Sequence, residues 1–161
     1  VMRKRGLRPA DAHFVAWLGD GQLGRALECD LEQARTSQKE FAAIFSAKGL
    51  QSFSTVLAAA EALAKGDRGP ETFDWLLRWL RDILLIAVGA GSDHILNLDQ
   101  RAGMQALAEH INVDGLLDLI SDLEKMERQA HRNLNVQIAL ETILLRVRQL
   151  LTPPGTADRS R

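Results

Sequence analysis

From Pro70 to Val88 the chain reads PETFDWLLRWLRDILLIAV, and no other stretch limits the fold as severely. On a helix turning about 100° per residue, Phe73, Leu76, Leu77, Leu80, Ile83, Leu84, Ala87 and Val88 form one apolar face roughly 140° wide. Trp75, Trp79 and Ile86 make a second stripe with Asp82 between them, leaving only Asp74, Arg78, Arg81 and Leu85 for the remainder. A helix apolar on nearly all sides must be covered on nearly all sides. The tryptophan stripe serves either core packing or a contact between subunits, because Trp anchors both. An unpaired carboxylate among tryptophans is costly, and Arg78 lies one turn before Asp82, so an ion-paired structural role is expected. The competing role is a general acid with a raised pKa. No nucleophile or second carboxylate stands at a fixed spacing to support it.

The rest of the chain supplies the cover as helices. Pro9 suits the first helical position, with Phe14, Val15 and Leu18 following at helical spacing until Gly19-Asp20-Gly21. A second helix is expected from near Gln22, carrying Leu23, Ala26, Leu27, Leu31 and Ala34. Its apolar stripe lapses over Arg35–Glu40 (RTSQKE) and resumes at Phe41, Ile44 and Phe45, as in a long helix crossing between two modules. Beyond Gly49, Ser52 or Ser54 caps a helix faced by Val56, Leu57, Ala60 and Leu63. After the central helix, Gly89-Ala90-Gly91 is a stop. Asp99 suits the cap of a helix bearing Met104, Leu107, Ala108 and Ile111. Asn112 or Asp114 opens the next, with Leu116, Leu117, Ile120, Leu123 and Met126 inward and Glu124 and Arg128 outward.

The last helix lies within 133–151. Val136, Ala139, Leu140, Ile143, Leu144, Val147, Leu150 and Leu151 share one face. Ile138 and Leu145 stand opposite, seven residues apart, beside Glu141 and Arg148, and imply a second covered surface. A helix of the same domain and a neighbouring subunit are both candidates for that cover. Pro153-Pro154-Gly155 forbids continuation, so 153–161 is expected to be a disordered tail. No stretch alternates as a strand does. The fold class is therefore all-α, about seven helices.

A formal net charge of −1 supplies no global field toward nucleic acid or acidic lipid. The single cysteine, Cys29, sits in an acidic neighbourhood that raises a thiol pKa and reads as structural. No stretch approaches the roughly 20 apolar residues of a membrane span. The start, VMRKRGLRPADAHF, lacks the apolar core of a secretory signal, and Val1 ahead of Met2 reads as an excised piece. A cytoplasmic address is expected. His13, His94, His110 and His131 include no pair at helical ligand spacing, and neither a phosphate loop nor a serine elbow is present. Catalytic, metal and cofactor residues are therefore expected to be none. Arg128, Arg132, Arg146 and Arg148 are interspersed with acids, as on a solvated face.

Three stretches in order carry a resemblance: GDGQLGRAL at Gly19–Leu27, WLLRWLRDILLIAVGAG at Trp75–Gly91 followed by Asn97, and NLNVQIALETILLRV at Asn133–Val147. Together they resemble the carboxyl-terminal part of the delta-prime subunits of the bacterial DNA polymerase III clamp loader, with tau/gamma the nearest related pattern. The resemblance implies a fragment of an AAA+ helical lid with its connecting helix over 1–38, then a five-helix collar over 39–152. It also implies a non-catalytic role. The collar would pack against the collars of tau/gamma and delta in a pentamer, with DNA met only through the full loader and no membrane. The zinc module and arginine finger of that family belong to a region outside this chain. In the hydrolysing subunits the stretch matching GQLGRAL is a nucleotide sensor with arginine where this chain has Gly24. Arg25 is one place later, about 100° round the helix, and is at most a displaced sensor-like residue. The candidate subunit interface is Trp75, Trp79, Ile138, Leu145 and Arg148. A rival reading is an all-helical ligand-binding or regulatory domain with a pocket between the Trp75/Trp79 helix and the last helix.

Overall fold

The computed structural model describes residues 9–19, 30–46, 48–65, 69–130 and 135–151. These form seven α-helices: α1 (Pro9–Leu18), α2 (Leu31–Ile44), α3 (Phe53–Ala64), α4 (Gly69–Ala87), α5 (Arg101–Ala108), α6 (Val113–Ala130) and α7 (Val136–Leu151). Two short 3-10 turns, Ser92–His94 and Leu98–Gln100, lie between α4 and α5, and no strand occurs among the described residues. Helices α3, α4, α6 and α7 close a four-membered ring, each packing on the next, with α4 and α7 at opposite corners. Helices α5 and α2 pack on α4 from outside that ring.

This arrangement explains why α4 is apolar all round. Phe73, Leu76, Leu80 and Ile83 are fully buried on one side. On the other, Trp75 stacks against Phe41 at 6.1 Å and faces Phe14 at 6.3 Å, while Trp79 meets Phe41 and Phe45 at 6.2 and 5.7 Å. Helices α1 and α2 of the same chain thus cover the tryptophan stripe, and their Phe14, Ala34, Phe41 and Phe45 join one continuous core with the ring. α4 ends in a Schellman turn. Gly89 takes φ +75°, the Ala90 N–H donates to the Leu85 carbonyl at 2.8 Å, and the Gly89 N–H donates to Ile86 at 3.0 Å. Val88 is therefore turned outward and 60% exposed, not part of the apolar face.

Several expectations are corrected here. A helix unbroken from Gln22 to Phe45 does not form, because Asp30 takes extended backbone (φ −77°, ψ 102°) and caps α2 through the Glu32 and Gln33 N–H groups. Asp99 caps nothing: it lies inside a 3-10 turn and its carboxylate is used elsewhere. Ser52, not Ser54, caps α3, in a reciprocal capping box with Thr55. Asn112 starts α6 by accepting the Gly115 N–H at 2.8 Å. On α6 Leu119 joins Leu116 and Leu123 as fully buried, whereas Leu117 is 47% exposed. Arg25, Cys29, the Gln22–Leu27 segment, His131–Asn133 and the tail from Pro153 lie outside the described residues.

Candidate subunit interface and a buried polar junction

Helix α7 is two-sided in the structure as in its pattern. Leu140, Ile143 and Leu144 are fully buried and Val147 nearly so. Opposite them, Ile138 is 59% exposed just after the Asn135 cap, whose side-chain oxygen accepts the Ile138 N–H at 3.2 Å. Thr142, also exposed, donates its hydroxyl back to the Ile138 carbonyl at 2.8 Å. Leu145 is half-buried and packs partly on the core, and Arg148 is half-buried and already engaged. The free outer line is therefore narrower than the spacing suggests, and Ile138 dominates it. Beside it Arg146 bridges to Asp122 of α6 at 2.7 Å, and Lys125 holds the same carboxylate at 2.9 Å. Those two hydrogen bonds, the Arg146 one first, pull the Asp122 pKa below the ordinary carboxylate value.

Trp75 and Trp79 do not share that surface. They are 5% and 2% exposed, and α1 and α2 cover their rings within the chain. Of the candidate interface residues, the structure leaves Ile138, Leu145 and Arg148 along α7 and places the two tryptophans in the core.

Asp82 is the least expected feature. It is fully buried, and its partner is not Arg78, which instead binds Asp74 at 2.9 Å and reaches the Trp17 carbonyl at 3.4 Å. The Asp82 carboxylate accepts the Leu96 N–H at 3.1 Å, the Asn97 N–H at 2.9 Å and the Asn97 side-chain amide at 2.8 Å. Burial pushes its pKa up, and these bonds, with the Arg81 charge, oppose the rise. Asn97 Oδ1 in turn accepts Gln38 Nε2 at 2.9 Å, and Gln38 also donates to Asp99 at 2.9 Å. Arg35 donates to Gln38 Oε1 at 2.7 Å, to Asp99 at 3.2 Å and to Asp11 of α1 at 2.9 Å, with its guanidinium 4.1 Å above the Phe14 ring.

The polar patch RTSQKE is thus no solvated linker. Ser37 and Gln38 are 3% and 2% exposed, and the patch ties α1 and α2 to the loop after α4. Its signal in the sequence is a set of polar residues occupying core positions of a helix, matched by one buried carboxylate 44 residues further on. Helix α1 is gripped further by Arg81 over the Trp17 ring at 4.7 Å and by a hydrogen bond between His13 Nε2 and the Ile95 carbonyl at 3.2 Å.

With no solvent exposure and three donors on its oxygens, Asp82 is built to hold a loop and not to exchange protons with a substrate. Among the described residues no group of three or more His, Cys, Asp and Glu side chains is placed to hold a metal ion. No described helix is long and apolar enough to cross a membrane. Two cavities border Trp75, one lined from α1, α2 and α4 and a much smaller one from α2, α3 and α4, and α7 lines neither. That geometry differs from the rival pocket between α4 and α7.

No curated protein sequence matches the chain. The protein family described as DNA polymerase III, delta subunit, C terminal, matches residues 34–149, from within α2 almost to the end of α7. The match takes in Gln38, Asp82 and Asn97 of the polar junction, both faces of α4, and the outer line of α7. The chain belongs to this clamp-loader family, that of the carboxyl-terminal domain of the polymerase III delta subunit.

Proposed function

We propose that this chain is a subunit-assembly region of the bacterial DNA polymerase III clamp loader, of the delta-prime type. Its collar, residues 39–152, packs against the collars of tau/gamma and delta and helps close the pentamer that loads the sliding clamp. Residues 1–38 are the end of an AAA+ lid and its connecting helix. The observation that carries this reading is the family match over 34–149, with Ile138 exposed on the outer side of its last helix. The delta-prime assignment rests on the three ordered stretches around Gly19–Leu27, Trp75–Asn97 and Asn133–Val147.

In this role the chain works without a cofactor, metal or catalytic residue of its own, in the cytoplasm, and meets DNA only through the complete loader. Ile138, Leu145 and Arg148 form its seam. Binding here is mechanical: packing on α3 and α6 holds α7 in one orientation, so that a partner meets a preformed surface and little is lost in ordering it. The test is co-elution with purified tau/gamma and delta collars at micromolar concentration. A peak heavier than any component is expected. Separate elution of three folded proteins would overturn the assembly role.

A further inference from the structure

From Asp82 outward the buried polar junction is a chain of bonds with a fixed direction. A carboxylate accepting three hydrogen bonds stands at one end, and a guanidinium, which only donates, stands at the other. Between them Asn97 gives its side-chain N–H to Asp82 at 2.8 Å and takes a Gln38 N–H on its oxygen at 2.9 Å. Gln38 also donates to Asp99 at 2.9 Å, and its own oxygen accepts Arg35 at 2.7 Å. Turning either amide over would set oxygen against oxygen and N–H against N–H, so each is locked in one orientation.

The loop after α4 is gripped from two sides. Toward α4 it presents three donors, from Leu96 and Asn97, all taken by Asp82. Toward α1 and α2 it presents acceptors: the Ile95 carbonyl meets His13, Asn97 Oδ1 meets Gln38, and Asp99 meets Gln38 and Arg35. Asp82, Asn97 and Gln38 are each no more than 2% exposed. Of the residues that α2 buries, Ala34 and Phe41 are apolar and Ser37 and Gln38 are polar, so its hold is divided between apolar contact and this bond chain. If the loop lifts while α2 stays, Gln38 and Asp82 lose their partners under cover. A buried polar group left unpaired is costly, whereas one that reaches water is not. Half-open forms are therefore penalised relative to an opening that wets the whole chain at once.

We propose that α1, α2 and residues 95–99 form one releasable strap on the four-helix ring, latched through Gln38 and Asn97 and opening as a unit. The open form bares Trp75 and Trp79, whose rings α1 and α2 cover in the closed one, and leaves α3, α4, α6 and α7 in place. Access to the tryptophan stripe is thereby set by the latch. The strap does not rest on the assembly role, and either can fail without the other.

The test is native-state amide exchange on the full 161-residue chain, followed by NMR at rising urea below the unfolding transition. The amides of Val15, Phe41 and Asn97 should share one opening equilibrium and one urea slope, at least tenfold more open than Leu119 and Leu144. Gln38→Ala should speed exchange at Val15 and Asn97 by a common factor of about ten, with Leu119 and Leu144 unmoved. Asn97→Ala cuts the same bond from the loop and should speed Val15 and Phe41 alike, because coupling is reciprocal. The double variant should fall short of the product of the two single factors. Exchange at Asn97 that ignores Gln38→Ala would overturn the proposal, as would separate urea slopes for the loop and the two helices. So would wild-type exchange at all five amides through one global unfolding, and the wild-type series gives that answer even where a variant fails to fold.

Discussion

The two sides of α4 are buried by different physics. Toward the four-helix ring, Phe73, Leu76, Leu80 and Ile83 lose their water by apolar contact alone, which is non-directional and tolerates repacking. Toward α1 and α2, tryptophan and phenylalanine rings lie beside a chain of hydrogen bonds from Asp11 through Arg35 and Gln38 to Asn97 and Asp82. Such a network specifies one geometry, because every member left unpaired in a low dielectric is costly. The ring side gives the protein its core. The polar side sets where α1 and α2 sit on the ring.

Substitutions on each side should break this comparison in order of size. Asp82→Ala should be the most damaging, at about 3–5 kcal/mol in urea unfolding. Each of three orphaned buried donors costs about 1–3 kcal/mol, and loop relaxation rewets part of them. Leu80→Ala on the ring side should cost about 2–5 kcal/mol, the usual range for a fully buried leucine, with a single cooperative transition retained. If Leu80→Ala is severe and Asp82→Ala is mild, the polar side is ornament and not a determinant. Arg35→Ala should cost about 1–2 kcal/mol, since Arg35 is partly exposed and its partners can regain water. Its distinguishing sign is faster amide exchange in α1 and at Asn97, with α6 and α7 unchanged.

Acidity offers a subtler contrast. The Asp82 pKa is raised above 3.8, so its contribution to stability is complete below pH 3.8 and is lost as pH rises through the folded value. The stability difference between wild type and Asp82→Asn should therefore shrink as pH climbs from 3.8 and flatten once Asp82 is ionised. Asp122, whose pKa is lowered, has the opposite sign: its contribution is present above pH 3.8 and lost as pH falls through its folded value. A difference for Asp82→Asn that grows with pH would contradict the burial account.

The same contrast explains what could be read from the residues alone. The apolar stripes of α4 and α7 were legible because burial follows helical period, and their fully buried members are those the period selects. Errors along α4 and its neighbour α6 are local. Val88 turns out at a glycine stop, and Leu119 takes the inward place expected of Leu117. The polar side was not legible. Asp82 finds donors 14 and 15 residues later, and Gln38 finds acceptors 59 and 61 residues away, so tertiary proximity and not local spacing chooses them. Asp99 looks like a cap and Arg78 like a partner only while the chain is viewed one helix at a time. For the seam, the period identified Ile138 and Leu145, but how much of Leu145 the core uses depended on packing. Trp75 and Trp79 were ambiguous for the same reason, since nothing local says that α1 and α2 cover them.

Whether the outer line of α7 joins this chain to other subunits is tested most directly by one substitution at its most exposed point. Ile138→Asp removes an apolar side chain 59% exposed in the chain alone, so the urea midpoint should move by no more than the equivalent of about 0.5 kcal/mol. Sedimentation of wild type and Ile138→Asp, each with tau/gamma and delta collars, should give a complex for the first and separate species for the second. Equal complex formation by both, with both folded, would contradict the account.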